Sequence, residues 1–154
     1  MQISKHMKKS VVSIHADATI RDAAQVFVKK HVGMLPVIDE EGRPIGVVGL
    51  ADMLTLELPD FVSFVADVDF VHDFGAVERT RPAAAALAQS IRKLMKPPIT
   101  VLEDCGLLRA YALMIQHKLH DIVVVSPQGQ LVGIASRVDI GRAILKSWSG
   151  VEKK

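Results

Sequence analysis

The sequence predicts an α/β (α+β) fold: two β-α-β-β-α repeats packed as a pseudo-two-fold pair, with a helical, Phe-rich insert between them. Three observations lead there. Residues 7–52 and 95–139 follow one pattern, so one unit has been copied. Apolar periodicity reads as strand, helix, strand, strand, helix in each copy. Apolar residues make up 49% of the 154, enough for a shared core and too many for a disordered chain. Each copy spans roughly 45–50 residues, near the lower limit for folding alone, so the copies are expected to fold as one body.

The match begins at Met7-Lys8 and Met95-Lys96 and continues with Arg21 and Arg109, then Ala24 and Ala112, at one constant offset. One residue is then lost. The match resumes with Val37 and Val124, Gly42 and Gly129, Gly46 and Gly133, and Asp52 and Asp139.

In the first copy, the apolar run at residues 11–14 reads as a strand. Residues 16–19 turn into a helix whose apolar stripe is Ile20, Ala23, Ala24, Phe27 and Val28. Residues 34–38 form a second strand. Pro36 has no amide hydrogen, so it belongs where no ladder bond is needed. Residues 39–42 are a hairpin turn with Gly42 as the permissive residue. Residues 45–49 are the third strand, and a helix starts near Ala51. The second copy gives a strand at 99–102, a helix near 107–118, a hairpin of 121–125 with 131–135, and a last helix at about 137–147. Strands alternating with helices argue for a mixed sheet covered by helices. Residues 1–57 are assigned to the first repeat and 91–150 to the second.

Residues 58–90 are assigned to the insert. No Lys or Arg occurs from Pro44 to Glu78, where seven carboxylates do, and four of the five phenylalanines (Phe61, Phe64, Phe70, Phe74) fall here. A tether would be polar and poor in aromatics, so short packed helices are expected. Pro82 fits the first turn of a helix that continues through Leu87, Ile91 and Leu94 into the second copy.

Bulk properties exclude several classes. A net charge of +2, from 19 basic and 17 acidic side chains, argues against a nucleic-acid binder with a concentrated basic face. A single cysteine, Cys105, forms no intramolecular disulfide and fits a reducing compartment. No apolar run approaches the roughly 20 residues of a membrane span. No long apolar stretch follows Lys5, Lys8 and Lys9, so the N-terminus does not read as a secretory signal. A cytoplasmic protein is expected.

The ordered motifs resemble a tandem pair of CBS domains, named after cystathionine beta-synthase. Each copy has Met-Lys before its first strand. The first carries Leu35-Pro36-Val37-Ile38-Asp39, Gly42, Ile45-Gly46-Val47-Val48 and Asp52. The second carries Ile122-Val123-Val124-Val125, Gly129, Leu131-Val132-Gly133-Ile134-Ala135-Ser136 and Asp139. The resemblance covers about two thirds of the chain and leaves out the insert. Its specificity lies in the ordered set occurring twice, not in any single tetrapeptide.

The resemblance implies binding of an adenosine-containing ligand (AMP, ADP, ATP or S-adenosylmethionine) in a cleft between the repeats, with no obligatory cofactor. It implies a ribose-binding role for Asp139, a sugar or phosphate contact from Ser136, and an adenine slot formed by Ile134 with Ala23, Val32, Gly33 and Met34 of the other copy. The chemistry agrees. A carboxylate accepts charge-assisted bonds from both ribose hydroxyls, and unpaired amides at a helix start favour an anion. Ser136 three residues before Asp139 equally forms a helix capping box that needs no ligand. A weaker second site is expected at Asp52 and Val47 with His120 and Asp121. There Gly49 stands in place of Ser136, and Asp121 would repel a phosphate that His120 could still contact. Asp52 alternatively serves as a helix N-terminal charge.

The remaining candidates favour structural readings. His117, His120 and Asp121 straddle a helix end without a Cys or Glu to complete a metal set, so no metal is expected. His72-Asp73 reads as surface polarity, Cys105 as a structural thiol, and Trp148 as packing or a dimer contact. No Gly-rich phosphate loop, nucleophile elbow or catalytic constellation is present, so catalysis is not expected. The function expected is a regulatory module that senses its ligand by conformational shift, with Lys29, Lys30 or Arg137 offsetting phosphates. The alternative is a ligand-free dimerisation and assembly module. A homodimer through the helices and an effector protein on another chain are the expected partners, without nucleic acid or membrane.

Overall fold

The structure is a computed structural model, and residues 1–58 and 81–151 are described. The phenylalanines of the expected insert, with His72-Asp73, lie outside the described residues. The first repeat contains β1 (Ile14–His15), α1 (Ile20–Lys30), β2 (Met34–Ile38), β3 (Pro44–Gly49) and α2 (Leu50–Leu54). A short helix α3 (Ala84–Leu87) precedes the second repeat, β4 (Thr100–Leu102), α4 (Leu107–Gln116), β5 (Asp121–Val125), β6 (Leu131–Ser136) and α5 (Arg137–Lys146). Each repeat forms a three-stranded sheet, parallel between its first two strands and antiparallel in its hairpin.

Local chemistry explains the element ends. Thr19 and Asp22 close a capping box at the start of α1, with each side chain accepting from the other's amide at 3.1 and 2.8 Å. The buried stripe of α1 is Ile20, Ala23 and Phe27. Val28, expected on that stripe, is 86% exposed, because it lies one position round the helix from Phe27. The hairpins turn at Gly42 and Gly129, with φ of +79° and +83°, a region open to glycine without steric cost.

The first strand is shorter than the expected 11–14. Only Ile14 and His15 pair with β2, whereas β4 pairs over three residues. The residue opposite Thr100 is Val123; its counterpart in the first repeat is Pro36. Both main-chain groups of Val47 bond to Lys96, at 2.8 and 2.9 Å, so Val47 faces away from β2. Pro36, opposite Val47, therefore turns its nitrogen toward β1. It has no hydrogen to give there, and the strand stops.

The structure shifts the correspondence between the repeats by one residue in the first helix. Ile14 pairs with Val37 as Val101 pairs with Val124, and the buried stripe Ile20, Ala23, Phe27 corresponds to Leu107, Ala110, Met114. The offset after the lost residue therefore already holds at Ile14. The identities of Arg21 with Arg109 and Ala24 with Ala112 are coincidental. The loss falls between Lys8 and Ile14, where five residues stand against four in the second copy.

Two cores form, one per repeat, and each is completed by the segment preceding the other repeat. Ile3 is fully buried in the core of the second repeat, and Ile91 in that of the first. Burying each isoleucine contributes roughly 1.5–3 kcal/mol. The Ile3 amide donates to Cys105 O at 2.8 Å and the Ile91 amide to Ala18 O at 2.9 Å. Lys8 and Ile134 exchange both main-chain bonds, at 2.8 and 3.0 Å, matching the Lys96–Val47 pair. Residues 1–8, placed with the first repeat by sequence, thus sit on the second. This clasp explains why the expected continuous helix from Pro82 ends. The Gln89 carbonyl is taken by the Ile20 amide at 2.9 Å, and a separate 3-10 turn, Ile91–Lys93, starts at Ser90, whose hydroxyl accepts from the Arg92 amide.

Candidate functional site

The last strand of the second repeat delivers Ser136 to the start of α5 in an extended conformation. Its hydroxyl accepts from the Asp139 amide at 3.0 Å, and Asp139 Oδ2 accepts from the Ser136 amide at 3.2 Å. The capping box is therefore formed. Its geometry commits one carboxylate oxygen and leaves Oδ1 without a hydrogen bond or salt bridge from the described residues. Asp139 is half-buried, at the rim of a cleft of about 200 Å³ between the repeats.

The second repeat supplies Ile134, Ser136, Asp139 and Asp121 to this cleft, and the first supplies Val32, Gly33 and Met34. Gly33 also holds α2 in place, accepting from the Leu50 amide at 2.9 Å. Apolar side chains (Val12, Val32, Met34, Ile134) line the cleft together with polar ones (Ser10, Asp121, Ser136, Asp139). That arrangement suits a flat apolar body with a hydroxylated or charged tail.

Of the expected slot residues, Ala23 does not reach the cleft; it is fully buried in the first core, on the inward stripe of α1. Sequence reading missed Lys8, Ser10, Val11, Val12 and His31, all of which line the cleft. The signal that could have found Ser10 to Val12 was the extra residue in that segment, which the alignment had put further along. Arg137 turns away, its Nε donating to the Leu119 carbonyl. Lys29 and Lys30 are exposed at the end of α1 and outside the cleft lining.

The counterpart around Asp52 is arranged differently. Asp52 Oδ2 accepts from the Gly49 amide at 2.7 Å, and Oδ1 pairs with Lys96 Nζ at 2.9 Å. Both oxygens are occupied, and Asp52 is only 15% exposed. Lys96 is held there by its main-chain bonds to Val47. Asp121, expected at this second site, instead lines the Asp139 cleft, because it opens β5 directly opposite Ser136. His120 is exposed, and its carbonyl accepts from the Arg137 amide at 2.9 Å. Burial pushes the Asp121 carboxyl above its ordinary value; Lys8 and His120 pull it back, and the nearby Asp139 adds to the rise.

A wider groove of about 460 Å³ lies beyond Asp139, lined by Met1 and His6 and by Arg142 and Lys146 of α5. No residue of the first repeat's sheet or helices walls it. Among the described residues, no group of three or more His, Cys, Asp and Glu is placed to hold a metal ion, and no helix is long and apolar enough to cross a membrane.

A family model described as CBS domain matches residues 2–58 and 90–146. A CBS domain-containing chloroplastic protein of Arabidopsis thaliana, CBSX2, is 31% identical over 142 residues, covering 86% of this chain and 58% of that protein. The chain thus spans less than two thirds of that relative's length. The crystal structure of CBSX2 in complex with AMP superposes with a TM-score of 0.69 at 26% identity, over 94% of this chain and 96% of that one. The CBS domain protein PAE2072 of Pyrobaculum aerophilum, complexed with AMP, gives 0.68 at 25% identity, over 98% and 95%. The CBS domain pair of the protein MJ0100, in complex with 5′-methylthioadenosine and S-adenosyl-L-methionine, shares the fold, with a TM-score of 0.68 at 19% identity over 94% and 95%.

Proposed function

The chain belongs to the CBS domain family, and from that premise we propose that it is a regulatory module that binds an adenosine-containing ligand between its repeats. The observation that carries this reading is the two-walled cleft with one open carboxylate oxygen, Asp139 Oδ1, at its rim. Ribose hydroxyls would donate to that oxygen, and the base would lie between Ile134 and the residues 32–34. The AMP complexes of CBSX2 and PAE2072 support the ligand class. A ligand touching both repeats favours the arrangement in which they close, by as much as its affinity differs between the two states. That closure would be the signal passed to an effector protein. The Asp52 side is read as a vacant counterpart, closed by its own salt bridge to Lys96. We assign the module no reaction and place it in the cytoplasm.

Isothermal titration of AMP, ADP, ATP and S-adenosylmethionine into the wild type and Asp139→Ala tests the site. At least one ligand should bind the wild type, and the variant should lose about tenfold or more in affinity, as expected for a charge-assisted bond. Equal heats from both proteins refute the assigned cleft. The second reading, ligand-free assembly through the helices, is favoured by the exposed Leu108 and Ile115 on α4 and Val138 on α5. Melting with the same panel separates the two, since no shift with any ligand favours assembly.

A further inference from the structure

The cleft carries an excess of negative charge. Asp121 opens β5 opposite Ser136, so its carboxylate shares a rim with Asp139. The cations in the lining are Lys8 and, when protonated, His31. Lys8 is already engaged: its main chain is pinned to Ile134, and its ammonium acts on Asp121, drawing that carboxyl toward its ionised form against burial and Asp139. In the Asp52 counterpart the matching lysine, Lys96, neutralises its carboxylate directly. Here one lysine faces two carboxylates. The two carboxylates outnumber the one lysine in the lining, and burial partly withdraws Asp121 from the solvent that would screen it.

We propose that the cleft selects adenosine ligands by the charge of the 5′ substituent, accepting a neutral thioether or a cationic sulfonium and disfavouring a 5′-phosphate, with Asp121 as the discriminating residue. This rests on reading the cleft as a nucleoside site. A ribose held by Asp139 through its 2′ and 3′ hydroxyls keeps its 5′ carbon within the same cleft of about 200 Å³. A phosphate would bring up to two further negative charges beside Asp121. Like charges brought together without solvent are a strong means of rejecting a ligand. A sulfonium or amino group would meet the same carboxylate as a partner. The cationic groove beyond Asp139, with His6, Arg142 and Lys146, is the competing destination for a phosphate, but it lacks the wall from the first repeat that closes the cleft.

The test is titration of the full chain with adenosine, 5′-methylthioadenosine, S-adenosylmethionine and AMP at neutral pH and low salt. We expect the two sulfur ligands to bind about tenfold or more tightly than AMP, and Asp121→Asn to strengthen AMP by about tenfold while changing 5′-methylthioadenosine by less than about twofold. AMP binding as tight as 5′-methylthioadenosine in the wild type overturns the proposal, as does an AMP affinity that Asp121→Asn leaves unchanged. Tight AMP binding that Lys146→Gln weakens also overturns it, by moving the phosphate to the groove. In those three cases the nucleoside site itself survives. Failure of all four ligands, adenosine included, rejects the site and the proposal together.

Discussion

Gly133→Ala tests the clasp on which the cleft depends. Gly133 is buried on β6, under the side chain of Met7. A methyl group there would run into Met7 Sδ and lie 2.8 Å from Cγ and 2.9 Å from Cε. Ordinary contacts between such atoms are about 3.5–4.0 Å, so the thioether must retreat by more than about 1 Å. The segment cannot slide as a whole, because Lys8 is bonded to Ile134 at both main-chain groups. Met7 must instead leave its rotamer, at an overpacking cost of about 1–3 kcal/mol. For a chain of this size that is a fall in Tm of roughly 2–4 °C per kcal/mol, or about 4–8 °C for a cost of about 2 kcal/mol. Met7→Ala removes the obstacle, so the double variant should be about 1–2 kcal/mol more stable than the sum of the single effects. Urea denaturation of the four proteins reads the coupling. Additivity within about 0.5 kcal/mol would show that Met7 does not cover Gly133, and the clasp would be wrong. Gly46→Ala provides an internal contrast. There the methyl would meet Met95 Sδ at 2.6 Å and also the Lys96 carbonyl oxygen at 3.1 Å. Main chain yields less readily than a thioether, so Met95→Ala should rescue Gly46→Ala only in part.

Two further outcomes follow from the electrostatics. Lys96→Met breaks the pair with Asp52, but Lys96 is 71% exposed, so the loss should stay below about 1 kcal/mol in denaturant melts, with ligand binding at Asp139 unchanged. A loss of ligand affinity would contradict the separation of the two sites. Asp121→Asn should change the pH dependence of stability. The folded-state value of Asp121 lies above the ordinary 3.8 through burial, opposed by Lys8 and His120 and reinforced by Asp139. Its contribution to the wild type is therefore present below pH 3.8 and lost as pH rises through the raised folded value. Asn does not titrate, so the variant should gain on the wild type across that window, and a flat or falling difference in urea melts would count against the buried placement.

Much of the architecture was readable because it rests on periodicity. The order of elements in both repeats, the hairpins at Gly42 and Gly129, and the Ser136–Asp139 corner follow from local pattern and turn chemistry. The paired Met-Lys and Gly46/Gly133 signals were visible too, but not their meaning: Met7 covers Gly133 and Met95 covers Gly46, each across the repeat boundary. Identity alone misplaced the lost residue, since Arg21 and Arg109 matched by chance. Ala23 was read as a slot residue because one-dimensional pattern does not say which side of a buried helix faces a ligand and which faces the core.

By itself the sequence determined that one unit occurs twice, that each folds as strand, helix, strand, strand, helix, and that an acid stands at the start of each last helix. Those properties are set by nearest neighbours along the chain: spacing, caps and glycine turns. Only the tertiary structure decided that residues 1–8 complete the second core and residues 91–96 the first, that Asp121 shares a cleft with Asp139, and that Lys96 closes the Asp52 side while Lys8 leaves Asp139 open. The reason is physical. Each repeat closes its core with a short segment that precedes the other repeat, and which side chain meets which across that boundary depends on contacts far apart in the chain, about which local pattern carries no information.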